Sequence, residues 1–207
     1  MDCRVKHLGR VAFEPVFDAM QAFTSARTPQ TIDEIWFLEH EPVYTLGLAG
    51  KTEHVLRETD IPLVRTDRGG QVTYHGPGQL ISYLLIDFKR MHIGVRELVR
   101  RIEQSVIDLM ADFEIAAHGD VDAPGVYVGS AKIASLGLRI RNGAVYHGLS
   151  LNVDMDLTPF DWINPCGYPN LKVTQIKDLG VSLSVSEVAE RLLPHLRANL
   201  SMAKETK

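Results

Sequence analysis

The sequence predicts an α+β fold: a mixed, largely antiparallel sheet with a few helices packed against it. Two patterns carry this expectation. Strand-like runs cluster along the chain without the regular alternation with helices that a parallel βα array shows. Residues 133–141 and 144–153 also flank Asn142-Gly143, a pair suited to the positive φ of a two-residue hairpin turn.

In chain order, residues 13–23 put Phe13, Val16, Met20 and Phe23 on one helical face. Ile35-Trp36-Phe37-Leu38 reads as a strand; Glu41-Pro42 breaks it and residues 43–47 resume extended. Residues 71–75 and 80–88 read as strands on either side of Gly76-Pro77-Gly78. The strongest helix spans residues 95–113. There Val95, Leu98, Val99, Ile102, Val106, Leu109, Met110 and Phe113 make a sustained apolar stripe that belongs in a core. A last helix starts at Ser184, where Glu187 completes a capping box, and Pro194 is expected to kink it or end it early. Residues 201–207 are polar and expected to fray.

At 207 residues, and with no linker rich in Pro, Gly or Ser, the chain is expected to form a single domain. A net charge of −4 argues against a broad nucleic-acid surface, so any acidic partner must meet a local basic patch. Arg139, Arg141 and Lys172 are candidates for that patch, while Arg96, Arg100 and Arg101 read as a solvated helix face. No apolar run approaches the roughly 20 residues of a membrane span, and the start of the chain does not read as a secretory signal. Cys3 and Cys166 could pair, but two cysteines make no disulfide framework, which points to the cytoplasm.

Three segments carry chemistry. Arg68-Gly69-Gly70-Gln71-Val72-Thr73-Tyr74-His75-Gly76-Pro77-Gly78-Gln79 holds four glycines in twelve residues, which lets backbone approach a ligand closely. The Gly69-Gly70 pair could offer N–H groups to an anion or carbonyl oxygen. A ligand-free glycine-rich hairpin is the plainer reading, and neither a P-loop nor a dinucleotide fingerprint is present. Gly129-Ser130-Ala131-Lys132-Ile133-Ala134-Ser135-Leu136-Gly137 places Lys132 among small and apolar neighbours, either as a functional amine or as a guard on an edge strand. Asn164-Pro165-Cys166-Gly167 holds a thiol on tight backbone, as a nucleophile or as a small buried hydrophobe. A lysine ammonium near that thiol would favour the thiolate. The eight histidines show no metal-ligand spacing; His75 and His147 read as structural or pocket side chains.

Taken together, these segments resemble the lipoyl(octanoyl) transferase family. The resemblance rests on residues 68–79, on residues 132–137 with His147-Gly148-Leu149-Ser150-Leu151-Asn152, and on residues 164–167, in that order. It implies the fold of biotin and lipoate protein ligase catalytic domains. It also implies octanoyl transfer from the thioester of acyl carrier protein to a lysine of lipoyl domains, in 2-oxoacid dehydrogenase E2 subunits and glycine-cleavage H protein. By the same resemblance Cys166 is the nucleophile, and Lys132 favours its thiolate and moves protons. Residues 68–75 (Arg68, Gly69, Gly70, Gln71, Val72, Thr73, Tyr74, His75), Ser135, Leu136, Gly137, Gly148, Leu149 and Ser150 form the acyl pocket. Neither ATP nor a metal is expected, because the donor is already activated.

Three rivals stand against this. A lipoate–protein ligase would use ATP and the same lysine but has no need of a thiol. A non-catalytic acyl-protein binding module would leave Cys166 an ordinary thiol. A cysteine hydrolase would need a His-Asn or His-Asp partner pattern, which the sequence lacks.

Overall fold

The computed structural model describes residues 2–202. Its larger sheet takes seven strands: β1 (Cys3–Val11), β2 (Asp33–His40), β6 (Gln79–Leu85), β7 (His118–Gly119), β8 (Gly125–Val128), β9 (Ala131–Arg141) and β10 (Ala144–Asn152), in the order β1-β2-β6-β10-β9-β8-β7. Within this larger sheet β1 and β2 pair in parallel and the other ladders are antiparallel. A smaller sheet has the order β4-β3-β5, from β3 (Val43–Leu46), β4 (Leu63–Arg65) and β5 (Val72–His75); there β3 pairs with β4 in parallel. The mixed, mainly antiparallel sheet is the one the sequence predicts.

Side-chain alternation splits the larger sheet into two faces. Trp36, Leu38, Ile81, Tyr83 and Leu85 pack with Val16 and Met20 of helix α1 (Phe13–Ser25). Their neighbours Ile35, Phe37, Leu80 and Leu84 pack with the apolar stripe of α2 (Val95–Asp112) and with Val188, Leu192 and Leu196 of α3 (Val185–Asn199). The β9–β10 hairpin turns on Asn142 and Gly143 at φ 53° and 85°, as that pair predicts.

Two expectations need correction. Pro194 does not end α3 early; the helix runs on to Asn199. A proline inside a helix costs about 3 kcal/mol, but Leu196 and Leu200 beyond it are fully buried, and each such burial contributes about 1.5–3 kcal/mol. Pro194 and Glu190, four residues before it, are both exposed, so water can reach the carbonyl left without a donor. Of the polar tail, Met202 packs into the main core rather than fraying, and residues 203–207 lie outside the described residues.

Strand β1 has no counterpart in the sequence reading. It is an edge strand whose residues are mostly half-buried or exposed, so it carries no clean alternation.

Candidate functional site

Lys132 stands at the start of β9, and the chain returns to it from the cysteine turn. Lys132 pairs with Val173 in a parallel bridge; its N–H donates to the Lys172 carbonyl at 2.8 Å, and Thr174 N–H donates back to the Lys132 carbonyl at 3.0 Å. That return sets Cys166 beside the lysine, although the two are 34 residues apart: Nζ to Sγ is 3.4 Å. Cys166 sits in a single 3-10 turn, Pro165–Gly167, at φ 57° and ψ 14°. A non-glycine residue in this left-handed region stores about 1–3 kcal/mol of strain, and such residues gather at functional sites. The turn is held from outside, since Asn164 N–H donates to the His54 carbonyl at 2.8 Å.

Lys132 is 2 % exposed. Besides the sulfur, its ammonium donates to the Pro124 carbonyl at 3.2 Å and lies 5.0 Å from the centre of the Tyr127 ring. Burial lowers the lysine's pKa, but its interactions with Cys166 and Tyr127 more than offset this and hold it above its ordinary value.

Arg68 is a second buried cation. Its guanidinium donates to Thr45 Oγ1 and to the carbonyls of Thr45, Gly69 and Gln71, at 2.7–3.2 Å. Burial lowers its pKa to about 10, opposed by its interactions with Cys166 and Tyr83. It remains a cation at neutral pH.

These groups line one cavity of about 360 Å³. Its wall brings together Cys166, Lys132, Arg68, Gly69, Gly70, Gln71, Val72, Thr73, His75, Ser135, Leu136, Gly137, Gly148, Leu149 and Ser150, with Phe13, Ile81 and Tyr83. Two cations and a thiol face it, and no Asp or Glu belongs to its lining. Tyr74 is the exception among the residues expected there. Alternation along β5 turns it into the cluster of Tyr44, Phe160 and Ile163 under the smaller sheet. The Gly69 N–H is not free for a ligand either; it donates to the Leu138 carbonyl at 2.9 Å.

Three further expectations meet the structure here. His75 lines the cavity and is also hydrogen-bonded, Nδ1 to Gln79 Oε1 at 2.7 Å; burial lowers its pKa to about 3, so it stays neutral. Cys3 and Cys166 form no disulfide with one another. Arg100 and Arg101 pair with Glu97 on α2 at 2.8 and 2.7 Å.

Sequence reading missed several residues that shape the site. Asp67 accepts from His147 Nε2 at 3.0 Å, from Gln21 at 3.1 Å and from the Tyr146 hydroxyl. Gly125 leaves room for the lysine stem, because a Cβ there would stand 2.9 Å from Lys132 Cε. Glu103 on α2 accepts from the Gly125 N–H at 2.8 Å. The sole hint of Glu103 was a carboxylate four residues after Val99, at the border of an apolar stripe. Among the described residues, no group of three or more His, Cys, Asp or Glu could hold a metal, and no helix is long and apolar enough to cross a membrane.

A thiol beside a buried ammonium, at the wall of a largely apolar cavity, is an arrangement suited to covalent acyl chemistry. The family model of the lipoyl protein ligase A/B catalytic domain matches residues 15–197. The chain belongs to this family. Among curated relatives, the octanoyltransferase of Chromobacterium violaceum is 71% identical over 202 residues, covering 98% of each chain. That of Laribacter hongkongensis is 66% identical over 197 residues, covering 95% of each. At this identity over nearly the whole length, this lipoyl protein ligase A/B family member is an acyltransferase.

Solved structures of low identity share its fold. The bi-partite lipoate protein ligase of Thermoplasma acidophilum, described with its E2 lipoyl domain, superposes with a TM-score of 0.80 at 16% identity, covering 100% of this chain and 87% of that one. Biotin protein ligase of Aquifex aeolicus gives a TM-score of 0.58 at 14% identity, covering 97% and 70%.

Proposed function

We propose that this acyltransferase moves an octanoyl or lipoyl group from the thioester of acyl carrier protein to a lysine of lipoyl domains, through an acyl-Cys166 intermediate. The observation that carries the reading is the 3.4 Å contact between Lys132 Nζ and Cys166 Sγ at the cavity wall. The octanoyltransferase relatives support the acyl group. The lipoyl domain that accompanies the Thermoplasma ligase supports the acceptor. The acceptors would be the E2 subunits of 2-oxoacid dehydrogenases and glycine-cleavage H protein, met in the cytoplasm by residues 1–207 acting as a single catalytic domain.

The Cys166 thiolate attacks the acyl carbon of the donor thioester, and the carrier thiolate leaves and takes a proton from Lys132. The acyl group is then a thioester on Cys166 and Lys132 is a neutral amine. The neutral amine of the target lysine attacks that thioester; its surplus proton passes to Lys132 Nζ, and Cys166 leaves as thiolate. The starting pair is restored and an amide is formed. Every step moves a group already activated in the donor, so no ATP or metal enters. The largely apolar cavity takes the acyl chain, and each buried methylene contributes about 0.8 kcal/mol.

Intact-protein mass tests this directly. Wild type and Cys166→Ala are mixed with octanoyl-carrier protein without ATP. One octanoyl group on wild type only, transferable to a lipoyl domain, is the expected result. No adduct on wild type, with transfer appearing only after ATP is added, would favour a ligase and overturn the reading.

A further inference from the structure

The Lys132 ammonium is held against Cys166 by a peptide plane that has a carboxylate on its other side. Nζ donates to the Pro124 carbonyl at 3.2 Å. The same peptide unit carries the Gly125 N–H, which donates to Glu103 Oε1 at 2.8 Å. No cis peptide occurs among the described residues, and in a trans peptide the C=O and N–H point opposite ways. Glu103, the Pro124–Gly125 peptide, Lys132 and Cys166 therefore form one continuous line of hydrogen bonds.

We infer that Glu103 is a positioning residue for acyl transfer, fixing the Pro124–Gly125 peptide so that its carbonyl holds the Lys132 ammonium at the thiol. The inference rests on the Cys166–Lys132 reading above. Three features support it. The lysine stem lies over Gly125, whose φ is +148° and where a Cβ would meet Lys132 Cε at 2.9 Å and the Ala134 carbonyl at 2.8 Å. A rotation of this peptide would therefore displace the lysine. Gly119 leaves room for the carboxylate, because a Cβ there would stand 3.3 Å from Glu103 Oε2. Burial raises the Glu103 pKa, opposed by the Gly125 N–H and the Lys132 charge, so the carboxylate and the ammonium sense one another across the plane. An anion at the N–H end also polarises the peptide and makes its carbonyl a better acceptor. Once Cys166 is acylated its charge is gone, and the Pro124 carbonyl and the Tyr127 ring remain to hold Nζ.

The test reads the thiol without any acyl donor. Alkylation of Cys166 at neutral pH, followed on its own peptide by mass spectrometry, is compared for wild type, Lys132→Met, Glu103→Ala and Glu103→Gln. Steady-state transfer is measured in parallel. Glu103→Ala slows alkylation about five- to tenfold, the scale of one hydrogen bond, and lowers kcat with the KM for the carrier unchanged. Glu103→Gln keeps an acceptor oxygen at the same reach and recovers most of both. Glu103→Ala alkylating like wild type while Lys132→Met is slow overturns the inference alone. So does Glu103→Gln being as slow as Glu103→Ala. Lys132→Met alkylating like wild type removes the reading of the pair and the inference with it. If Glu103→Ala does not fold, Glu103→Asp takes its place, since its shorter reach should slow alkylation; a wild-type rate there overturns the inference equally.

Discussion

His147 leaves the face of β10 that alternation assigns it and hydrogen-bonds Asp67, with 3.0 Å between Nε2 and Oδ1. Val145, Leu149 and Leu151 share its parity and pack in the core toward α2 and α3. His147 adopts φ 60° inside the strand, which brings its ring over to the α1 side. There it stacks on Phe17 at 5.4 Å and meets Tyr83 edge-on at 6.0 Å. Burial lowers the histidine's pKa, so it meets Asp67 as a neutral donor. The flip thus places a polar side chain in the wall of an apolar cavity with its hydrogen bond already satisfied.

Asp67→Asn should cost about 1–2 kcal/mol near pH 6, because three donors lose a charged acceptor. The pH dependence has a fixed sign. Burial raises the Asp67 pKa, but hydrogen bonds from His147, Tyr146 and Gln21 outweigh it and bring it from 3.8 to about 2. A depressed carboxyl stabilises the fold above its unfolded value and loses that contribution as pH falls. The gap between wild type and variant in urea unfolding should therefore narrow as pH drops from 3.8 toward 2. A gap that stays constant over this window would show that the carboxylate's charge is not involved.

Gly137 and Gly148 face one another across β9 and β10 at the cavity wall, yet alanine should act differently at each. A Cβ on Gly148 would stand 2.0 Å from the Ser82 carbonyl, a backbone atom of the neighbouring strand that cannot move aside. Gly148→Ala should cost about 3 kcal/mol or more and lower Tm sharply. On Gly137 the nearest atom is Arg68 Cδ at 2.9 Å, a side-chain atom and a much milder approach than the 2.0 Å at Gly148. Gly137→Ala should keep most of its stability and instead narrow the cavity, seen as a drop in the ratio of octanoyl to hexanoyl transfer.

The architecture was legible wherever a strong local signal coincided with tertiary burial. The Asn142-Gly143 turn, the Ser184–Glu187 capping box and the α2 stripe from Leu98 to Met110 appear as read, while Val95 is exposed and Val99 half-buried rather than core. Failures fell where tertiary context decides. The charged residues of β1 give no periodicity, because only its neighbour β2 makes it a strand. Pro194 is overruled by leucines buried beyond it. At the site, every residue that the motifs offered for the pocket except Tyr74 lines the cavity, since glycines and small side chains are visible as such, but Phe13, Ile81, Tyr83, Val95, Val99 and Tyr168 line it from outside the motifs. Invisible was the bridge from Lys132 to Val173, which closes the distance to Cys166 and obeys no period. Glu103 and Asp67 were missed for the same reason: each acts through a partner far along the chain.

The roles of Lys132 as charge and as proton carrier should separate under substitution. Lys132→Arg keeps a cation near the sulfur but cannot give up a proton near neutral pH. It should retain much of the wild-type rate of Cys166 alkylation while losing about 10²–10⁴-fold in transfer, the usual scale of acid–base catalysis. Lys132→Met should lose both. Arginine supporting transfer at a wild-type rate would show that the charge alone suffices.

Arg68 should tolerate lysine poorly, although the charge is conserved. The guanidinium reaches Thr45 Oγ1 and three backbone carbonyls at once because its donors are spread over a rigid fork. An ammonium is a point donor and reaches only some of them, which leaves buried acceptors unpaired. Arg68→Lys should therefore cost about 2–3 kcal/mol, read as a lower urea midpoint with an unchanged m-value. Alkylation of Cys166 would slow only modestly, because Lys132 still stands 3.4 Å from the sulfur. A variant as stable as wild type would mean that water replaces the missing donors and that the fork is not what the site requires.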